Sequence, residues 1–138
     1  MSKKQVMKYI NRFILFVIFS SVVTLTRANE PSWRPIEIDK EASYLVDEQS
    51  VLRDGYSTNA TLAIRPSRKQ TIRDLIFGSA SYAVQAQCIN KVITPKHGVL
   101  HEDAYAQGNA IKQDALSYYH KIVPISVDQK LIAHLCMN

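Results

Sequence analysis

Gly78-Ser-Ala-Ser-Tyr-Ala-Val-Gln-Ala-Gln-Cys-Ile-Asn90 is the stretch that decides the predicted fold. Apolar and small residues recur at helical spacing between positions 72 and 93, around and within this stretch. Ser67 is a candidate N-cap, and Thr94-Pro95 ends the pattern because a residue before proline avoids helical geometry. The sequence therefore predicts a central helix over residues 67–93, whose small side chains allow another helix to cross closely.

Two more helices are predicted on the C-terminal side. Glu102 and Asp103 favour a helix start through the macrodipole, and this helix would run to about residue 123, before Pro124. Ser126 and Gln129 form a capping-box pattern for a last helix. The buried face of that last helix is expected to consist of Leu131, Ile132, Leu135 and Cys136.

The predicted fold class is therefore all-α: a small bundle of three or four helices over residues 67–138. Residues 29–66 are expected to form an extended N-terminal segment with room for one short helix. The pattern leaves open whether residues 37–64 are helix or strand.

Residues 1–28 have the three parts of a secretory signal peptide. Lys3, Lys4, Lys8 and Arg12 precede a 13-residue apolar run, Phe13 to Leu25, and Thr26-Arg-Ala28 offers small residues for cleavage. A membrane-spanning helix needs about 20 residues, so an uncleaved anchor is the less favoured alternative. We expect contact with the membrane only during export, and a mature domain of residues 29–138 in the periplasm.

The charge distribution argues against nucleic-acid binding. Five of the 17 basic residues and none of the 12 acidic ones precede position 29, so residues 29–138 carry 12 of each. Binding to a phosphate backbone requires a net basic face. The basic residues Arg65, Arg68, Lys69 and Arg73 are interpreted as the solvated start of the central helix.

Cys88 and Cys136 are the only cysteines. In an exported chain two cysteines commonly form a disulfide, and this one would close a long loop. The alternatives are free thiols or a disulfide to a partner protein.

No pattern of residues indicates a catalytic site, a metal site or a cofactor. His97 and His101 have a spacing that suits a metal only on a helix, which Pro95 and Gly98 oppose. Cys88 lies in an apolar stretch without a recognisable nucleophile motif, which favours a structural role. The sequence therefore predicts a protein that is not an enzyme.

Tyrosines near the polar segment 95–103 suggest a protein interface, since tyrosine buries area and keeps a polar tip. The candidate partner-binding residues are His97, His101, Glu102, Asp103, Tyr105 and Tyr119.

The order of three segments resembles the periplasmic immunity proteins of type VI secretion amidase effectors. These segments are Tyr82-Ala-Val-Gln-Ala-Gln-Cys-Ile-Asn90, Glu102-Asp-Ala-Tyr-Ala-Gln-Gly-Asn-Ala110 and Leu135-Cys-Met137. The resemblance implies a small helical inhibitor that occludes the active site of a peptidoglycan amidase. The sequence also leaves a homodimer open. Two other hypotheses remain: an accessory cell-envelope protein that binds a secreted or membrane partner, and a small hydrolase that uses His97 or His101.

Overall fold

A computed structural model describes residues 30–137, so the predicted signal peptide lies outside the described residues and remains a prediction. The described part is a six-stranded antiparallel sheet with helices on one face, in the strand order β1-β2-β3-β6-β7-β8. A separate hairpin, β4-β5, is inserted between β3 and β6. The strands are Trp33–Ile38 (β1), Ala42–Asp54 (β2), Ser57–Pro66 (β3), Gln70–Ile72 (β4), Leu75–Phe77 (β5), Ser79–Gln87 (β6), Val92–His101 (β7) and Ala110–Lys112 (β8).

Three short helical elements follow the last strand. A 3-10 helix spans Leu116–Tyr118, and two α-helices span Tyr119–Ile122 (α1) and Ile125–Cys136 (α2). None of the helices within residues 30–137 has the length and apolar character that crossing a membrane would require.

The all-α prediction is wrong, because 53% of the described residues lie in strands and 18% in helices. The expected central helix over 67–93 consists of β4, β5, β6 and the start of β7. The polar segment 95–103 is largely strand β7, and the short helix considered before residue 54 is strand β2. The sheet contains strands from residues 29–66 and strands from residues 67–138, so both predicted segments contribute to it.

The alternation of β6 explains why this stretch forms a strand. Ala80, Tyr82, Val84 and Ala86 are buried and belong to the main core, whereas Ser81 and Ala83 between them are more exposed. This period of two is that of a strand with one face on the core. The small residues thus divide between two faces and do not form a helix–helix crossing.

Helix α2 covers the core face of the sheet. Val127, Leu131 and Leu135 are buried, and Ile132 and Cys136 pack at the margin of the same core. The prediction of a last helix is confirmed, but the capping box is wrong: Pro124 is the N-cap residue and no side chain bonds to the first turn.

The disulfide is confirmed between Cys88, in the turn after β6, and Cys136, at the end of α2. At the same end of the sheet, the Cys88 N–H donates a hydrogen bond to the carbonyl of Tyr56, in the turn between β2 and β3, at 3.0 Å. Arg53 Nη1 donates to the Leu135 carbonyl at 3.0 Å, which satisfies one of the last carbonyls of α2. The last helix is therefore fixed to the sheet by a covalent bond and by a charged donor.

Gly98 permits the aromatic packing in the centre of the core. A Cβ atom at this position would lie 2.3 Å from Tyr82 Cε1 on the neighbouring strand. The Tyr82 hydroxyl donates to the Ala115 carbonyl at 2.9 Å, and the Ala115 N–H donates to the Gly98 carbonyl at 3.0 Å. Only glycine leaves room for the Tyr82 ring beside β7.

Candidate functional site

The sheet face opposite α2 carries the candidate site, which we call the open face. Side chains alternate along each strand, so residues directly paired across strands lie on one face. Two neighbouring rows of this face follow from the register. One row contains Pro35, Leu45, Ala63, Ser81 and Val99, and the other contains Trp33, Asp47, Thr61, Ala83 and His97.

The middle of the open face is lined by small side chains. Thr61, Ala63, Ser81 and Ala83 lie beside one another on β3 and β6. Ala83 is exposed even though it lies on a central strand, so the face is uncovered at this point. These four small side chains form a shallow floor in the middle of the open face, and larger side chains border it.

An aromatic–arginine cluster, formed by Trp33, Arg65 and Tyr105, borders this floor. The Cζ atom of Arg65 lies 5.5 Å from the centroid of the Trp33 ring and 5.6 Å from that of Tyr105. Both distances are within the range of a cation–π interaction. Trp33 and Arg65 are half-buried, whereas Tyr105 is 64% exposed.

Two buried residues lie beside the cluster on the open face. Leu45 and Ala63 point to the open face and are nevertheless buried. They lie in the row next to Trp33, and Arg65 follows Ala63 by two residues on β3, so both residues are neighbours of the cluster on this face. The stem of an arginine packs on apolar surface while its head keeps its charge.

Two donors in the cluster have no hydrogen-bond partner among the described residues: Trp33 Nε1 and Arg65 Nε, both of which are buried atoms. The nearby carboxylate of Asp47 is engaged elsewhere, since its Oδ1 accepts the N–H groups of Ser32 at 2.8 Å and Gln49 at 3.0 Å. The cluster thus combines a positive charge with unsatisfied donors.

The loop between β7 and β8, residues 102–109, brings Tyr105 to the cluster. The carboxylate of Asp103 accepts N–H groups of Tyr105 at 2.7 Å, Gln107 at 3.4 Å and Gly108. Partial burial acts to raise the pKa of Asp103, but these backbone hydrogen bonds outweigh it and hold the pKa below its usual value. The charged form of Asp103 is therefore the form that orders the loop.

Ser79 and His101 fix the same loop from below. Ser79 is fully buried; its hydroxyl donates to the Asp103 carbonyl at 2.6 Å and accepts the Ala106 N–H at 2.8 Å. His101 Nδ1 lies 3.2 Å from the Gly108 carbonyl, and its Nε2 lies 2.9 Å from Ser81 Oγ. A carbonyl only accepts, so Nδ1 carries a proton, and in the neutral ring Ser81 donates to Nε2.

An open groove of about 660 Å³ lies at the same end of the sheet. One wall is the 102–109 loop, and the other is the segment 66–69, which contains Arg68 and Lys69. Its walls carry charges of both signs, so the groove by itself selects no single class of ligand.

The structure separates the residues that the sequence suggested for partner binding. Tyr105 joins the cluster, Glu102 and Asp103 lie in its loop, and His97 is exposed on the open face. His101 is buried beneath the loop. Tyr119 is fully buried in the core, so it offers no surface to a partner.

No metal site is evident: residues 30–137 contain no group of three or more His, Cys, Asp or Glu side chains arranged to hold an ion. His97 and His101 lie on one strand, where a rise of about 3.3 Å per residue separates their Cα atoms by about 13 Å. Both cysteines are bonded to each other, so Cys88 is not a nucleophile.

Sequence reasoning missed Trp33 and Arg65 as members of the site. Arg65 was assigned to the solvated start of a helix, but it lies near the end of strand β3. The available signal was that Trp33 is the only tryptophan of the chain, in a segment too polar and proline-rich to need one for a core.

Comparison with known proteins gives one match. The model of the family described as surface-adhesin protein E matches residues 33–137, which is most of the chain. No curated protein and no solved structure matches the chain. The family match overturns the resemblance to immunity proteins of type VI secretion amidases, and nothing in it supports an amidase partner. A surface adhesin is an exported protein that binds a partner.

Proposed function

We propose that this chain, which belongs to the surface-adhesin protein E family, is a cell-surface protein that binds a protein partner through the open face of its sheet. The family match supports export and adhesion. The aromatic–arginine cluster is the observation that assigns partner binding to the open face. Trp, Tyr and Arg are the side chains that most often dominate binding energy at protein interfaces.

The open face suits this role because it is rigid where it carries the cluster. Trp33 lies on β1 and Arg65 on β3, both of which pair with β2, and Tyr105 lies in a loop held by Asp103, Ser79 and His101. Preorganised side chains lose little conformational freedom on binding, which favours affinity. The sequence suggested an accessory cell-envelope protein as an alternative, and our proposal extends that hypothesis to a protein at the cell surface. We propose that the protein has no enzymatic activity of its own.

Surface exposure is the first test. We expect the full-length chain, expressed in a bacterial host, to be digested by protease added to intact cells. Digestion only after the outer membrane is permeabilised would contradict a cell-surface location and would favour the periplasm.

Adhesion through the open face is the second test. Cells that display the protein are allowed to settle on a layer of cultured cells, and the attached cells are counted. We expect Tyr105→Ala to lower attachment. Tyr56→Ala is the matched control, because Tyr56 is 77% exposed at the opposite end of the sheet. Equal attachment of the two variants would contradict the assignment of the open face.

One observation favours a second candidate function. Ser81 Oγ and His101 Nε2 have the separation of a nucleophile and its base, as in a hydrolase. His101 is nevertheless buried beneath the loop, and its other nitrogen is held by a backbone carbonyl. A test with activated esters separates the two functions: hydrolysis that Ser81→Ala abolishes would establish an enzyme.

A further inference from the structure

We propose that Arg65, held against the rings of Trp33 and Tyr105, binds a side-chain carboxylate from an acidic segment of the protein partner. This inference rests on the proposed function and names the chemistry that the partner must carry. Arg65 is half-buried, and its described contacts are with the two rings.

The hydrogen-bonding state of Arg65 indicates an anion. A guanidinium has five N–H donors in a fixed fork, and burying donors without acceptors costs free energy. Arg65 Nε and Nε1 of the adjacent Trp33 are buried without an acceptor, so an incoming group would meet the two Nη atoms of Arg65, which are not buried and have no acceptor among the described residues. A carboxylate supplies two acceptor oxygens in the plane that matches the guanidinium fork.

The surroundings keep Arg65 available for an outside ligand. Asp47, the acidic residue across from Trp33 on the open face, is bonded to two backbone N–H groups. Asp103 is bonded to the backbone of its own loop. Both carboxylates are therefore committed to fixing backbone, and neither neutralises the guanidinium.

The cluster favours an acidic protein segment over an acidic polysaccharide. Sugar rings bind by stacking on aromatic faces, and the guanidinium of Arg65 occupies one face of Trp33 and one face of Tyr105, which leaves fewer faces on which a sugar could stack. A single rigid fork fits one planar carboxylate. The small floor of Thr61 and Ala83 beside the cluster leaves space for the segment that carries it.

Trp33 permits a direct test, because it is the only tryptophan and its fluorescence reports on this site alone. The exported protein, expressed from the full-length chain, is titrated with a synthetic oligo-glutamate peptide, with oligo-glutamine of equal length, and with heparin. We expect a saturable fluorescence change with oligo-glutamate that weakens with salt, and no change with oligo-glutamine. A response to heparin alone would overturn the proposal in favour of a polysaccharide.

Variants test whether the fluorescence response to oligo-glutamate depends on the guanidinium of Arg65. We expect Arg65→Gln to weaken oligo-glutamate binding by about tenfold or more, and Arg65→Lys to weaken it less, since lysine keeps the charge but loses the fork. Arg34→Gln is the matched control: it removes the same charge from the next residue after Trp33, whose side chain points to the other face. Unchanged binding by a folded Arg65→Gln protein would overturn the proposal.

Failure of the carboxylate inference can be distinguished from failure of the proposed function. If Tyr105→Ala lowers cell attachment but Arg65→Gln does not, the open face binds a partner and the carboxylate inference fails. If the wild-type protein shows no response to oligo-glutamate, the inference fails regardless of how any variant folds. If the chain is absent from the cell surface, the proposed function fails even where the peptide titration succeeds.

Discussion

At the scale of single residues, the hydroxyl of Tyr119 links the core to the last helix. It donates to Asp128 Oδ1 at 2.6 Å, and the Tyr119 ring packs edge-on against Tyr82 with centroids 5.0 Å apart. Burial raises the pKa of Asp128, while the hydrogen bond from Tyr119 acts to lower it. Tyr119 therefore supplies a hydrogen bond that stabilises this half-buried carboxylate.

We expect Tyr119→Phe to destabilise the protein by about 1–3 kcal/mol, because it leaves a partly buried acceptor unsatisfied while it keeps the ring. Urea denaturation at neutral pH measures the free energy of unfolding. Tyr56→Phe is the control, since Tyr56 is 77% exposed. An unchanged midpoint for Tyr119→Phe would show that water replaces the lost donor.

Asp103 gives a prediction that depends on pH. Its pKa is lower in the folded protein than the usual 3.8, so its contribution to stability is present above that value. The contribution is lost as the pH falls through the folded-state pKa. We expect Asp103→Asn to lower the urea midpoint at pH 7 and to have no effect once the pH lies below that pKa. Asp74→Asn, in the exposed β4–β5 turn, serves as the control. A difference that persists at acid pH would contradict the role of the charge.

At the scale of elements, the disulfide decides whether α2 stays on the sheet. Cys88 and Cys136 are 48 residues apart, and closing such a loop stabilises by about 4 kcal/mol in the chain-entropy model. We expect the double variant Cys88→Ser, Cys136→Ser to lose about 2–5 kcal/mol and to show faster hydrogen exchange in the last turn of α2. Reductant should destabilise the wild type alone. Equal stability of the two proteins would mean that packing suffices to hold the helix.

The close approach of β7 to the Tyr82 ring gives a second prediction at this scale. Gly98→Ala would place a Cβ atom 2.3 Å from Tyr82 Cε1, so the ring or the strand must move. We expect a loss of about 1–3 kcal/mol. The same substitution in a Tyr82→Leu background should cost less, because the shorter side chain leaves room. Additive effects in this double-mutant cycle would show that the clash is relieved elsewhere.

The elements also show how far sequence reasoning reached. The last helix was predictable because its apolar spacing fits only a helix and Pro124 fixes its start. The stretch 79–87 was not: Ser79, Ala83 and Ala86 satisfy helical spacing, while Ala80, Tyr82, Val84 and Ala86 satisfy alternation. Alanine and glutamine favour helices intrinsically. Pairing with β3 and β7 overrides that preference, and those partners are distant in sequence.

The candidate site was predictable only in part for the same reason. Tyr105 could be recognised as an interface residue by its type and its polar surroundings. Its neighbours Trp33 and Arg65 come from two strands that do not pair with each other, and β2 lies between them. The cluster exists because the register places these residues on one face, and register is not visible in a single sequence.

At the scale of the whole molecule, the described core differs from a purely aliphatic one by its buried tyrosines. Burial, followed by neighbouring charges, raises the pKa of Tyr44, and burial is likewise the main cause of the raised pKa values of Tyr82 and Tyr119. The hydrogen bond to Asp128 adds to the effect at Tyr119. In the folded protein these phenols therefore stay neutral at pH values where the unfolded chain ionises.

The sign of the resulting pH dependence is fixed by proton binding. Above the ordinary tyrosine pKa of 10.0, the unfolded state binds fewer protons than the folded state, so stability falls as the pH rises. We expect urea midpoints to be constant just below this pH and to decline steadily above it. Tyr82→Phe removes one of the linked groups, so its decline should be shallower than that of the wild type, whatever its stability at neutral pH. Parallel declines in the two proteins would mean that the Tyr82 phenol is accessible to water and that the aromatic core is looser than the packing of Tyr82 against Tyr119 and Gly98 requires.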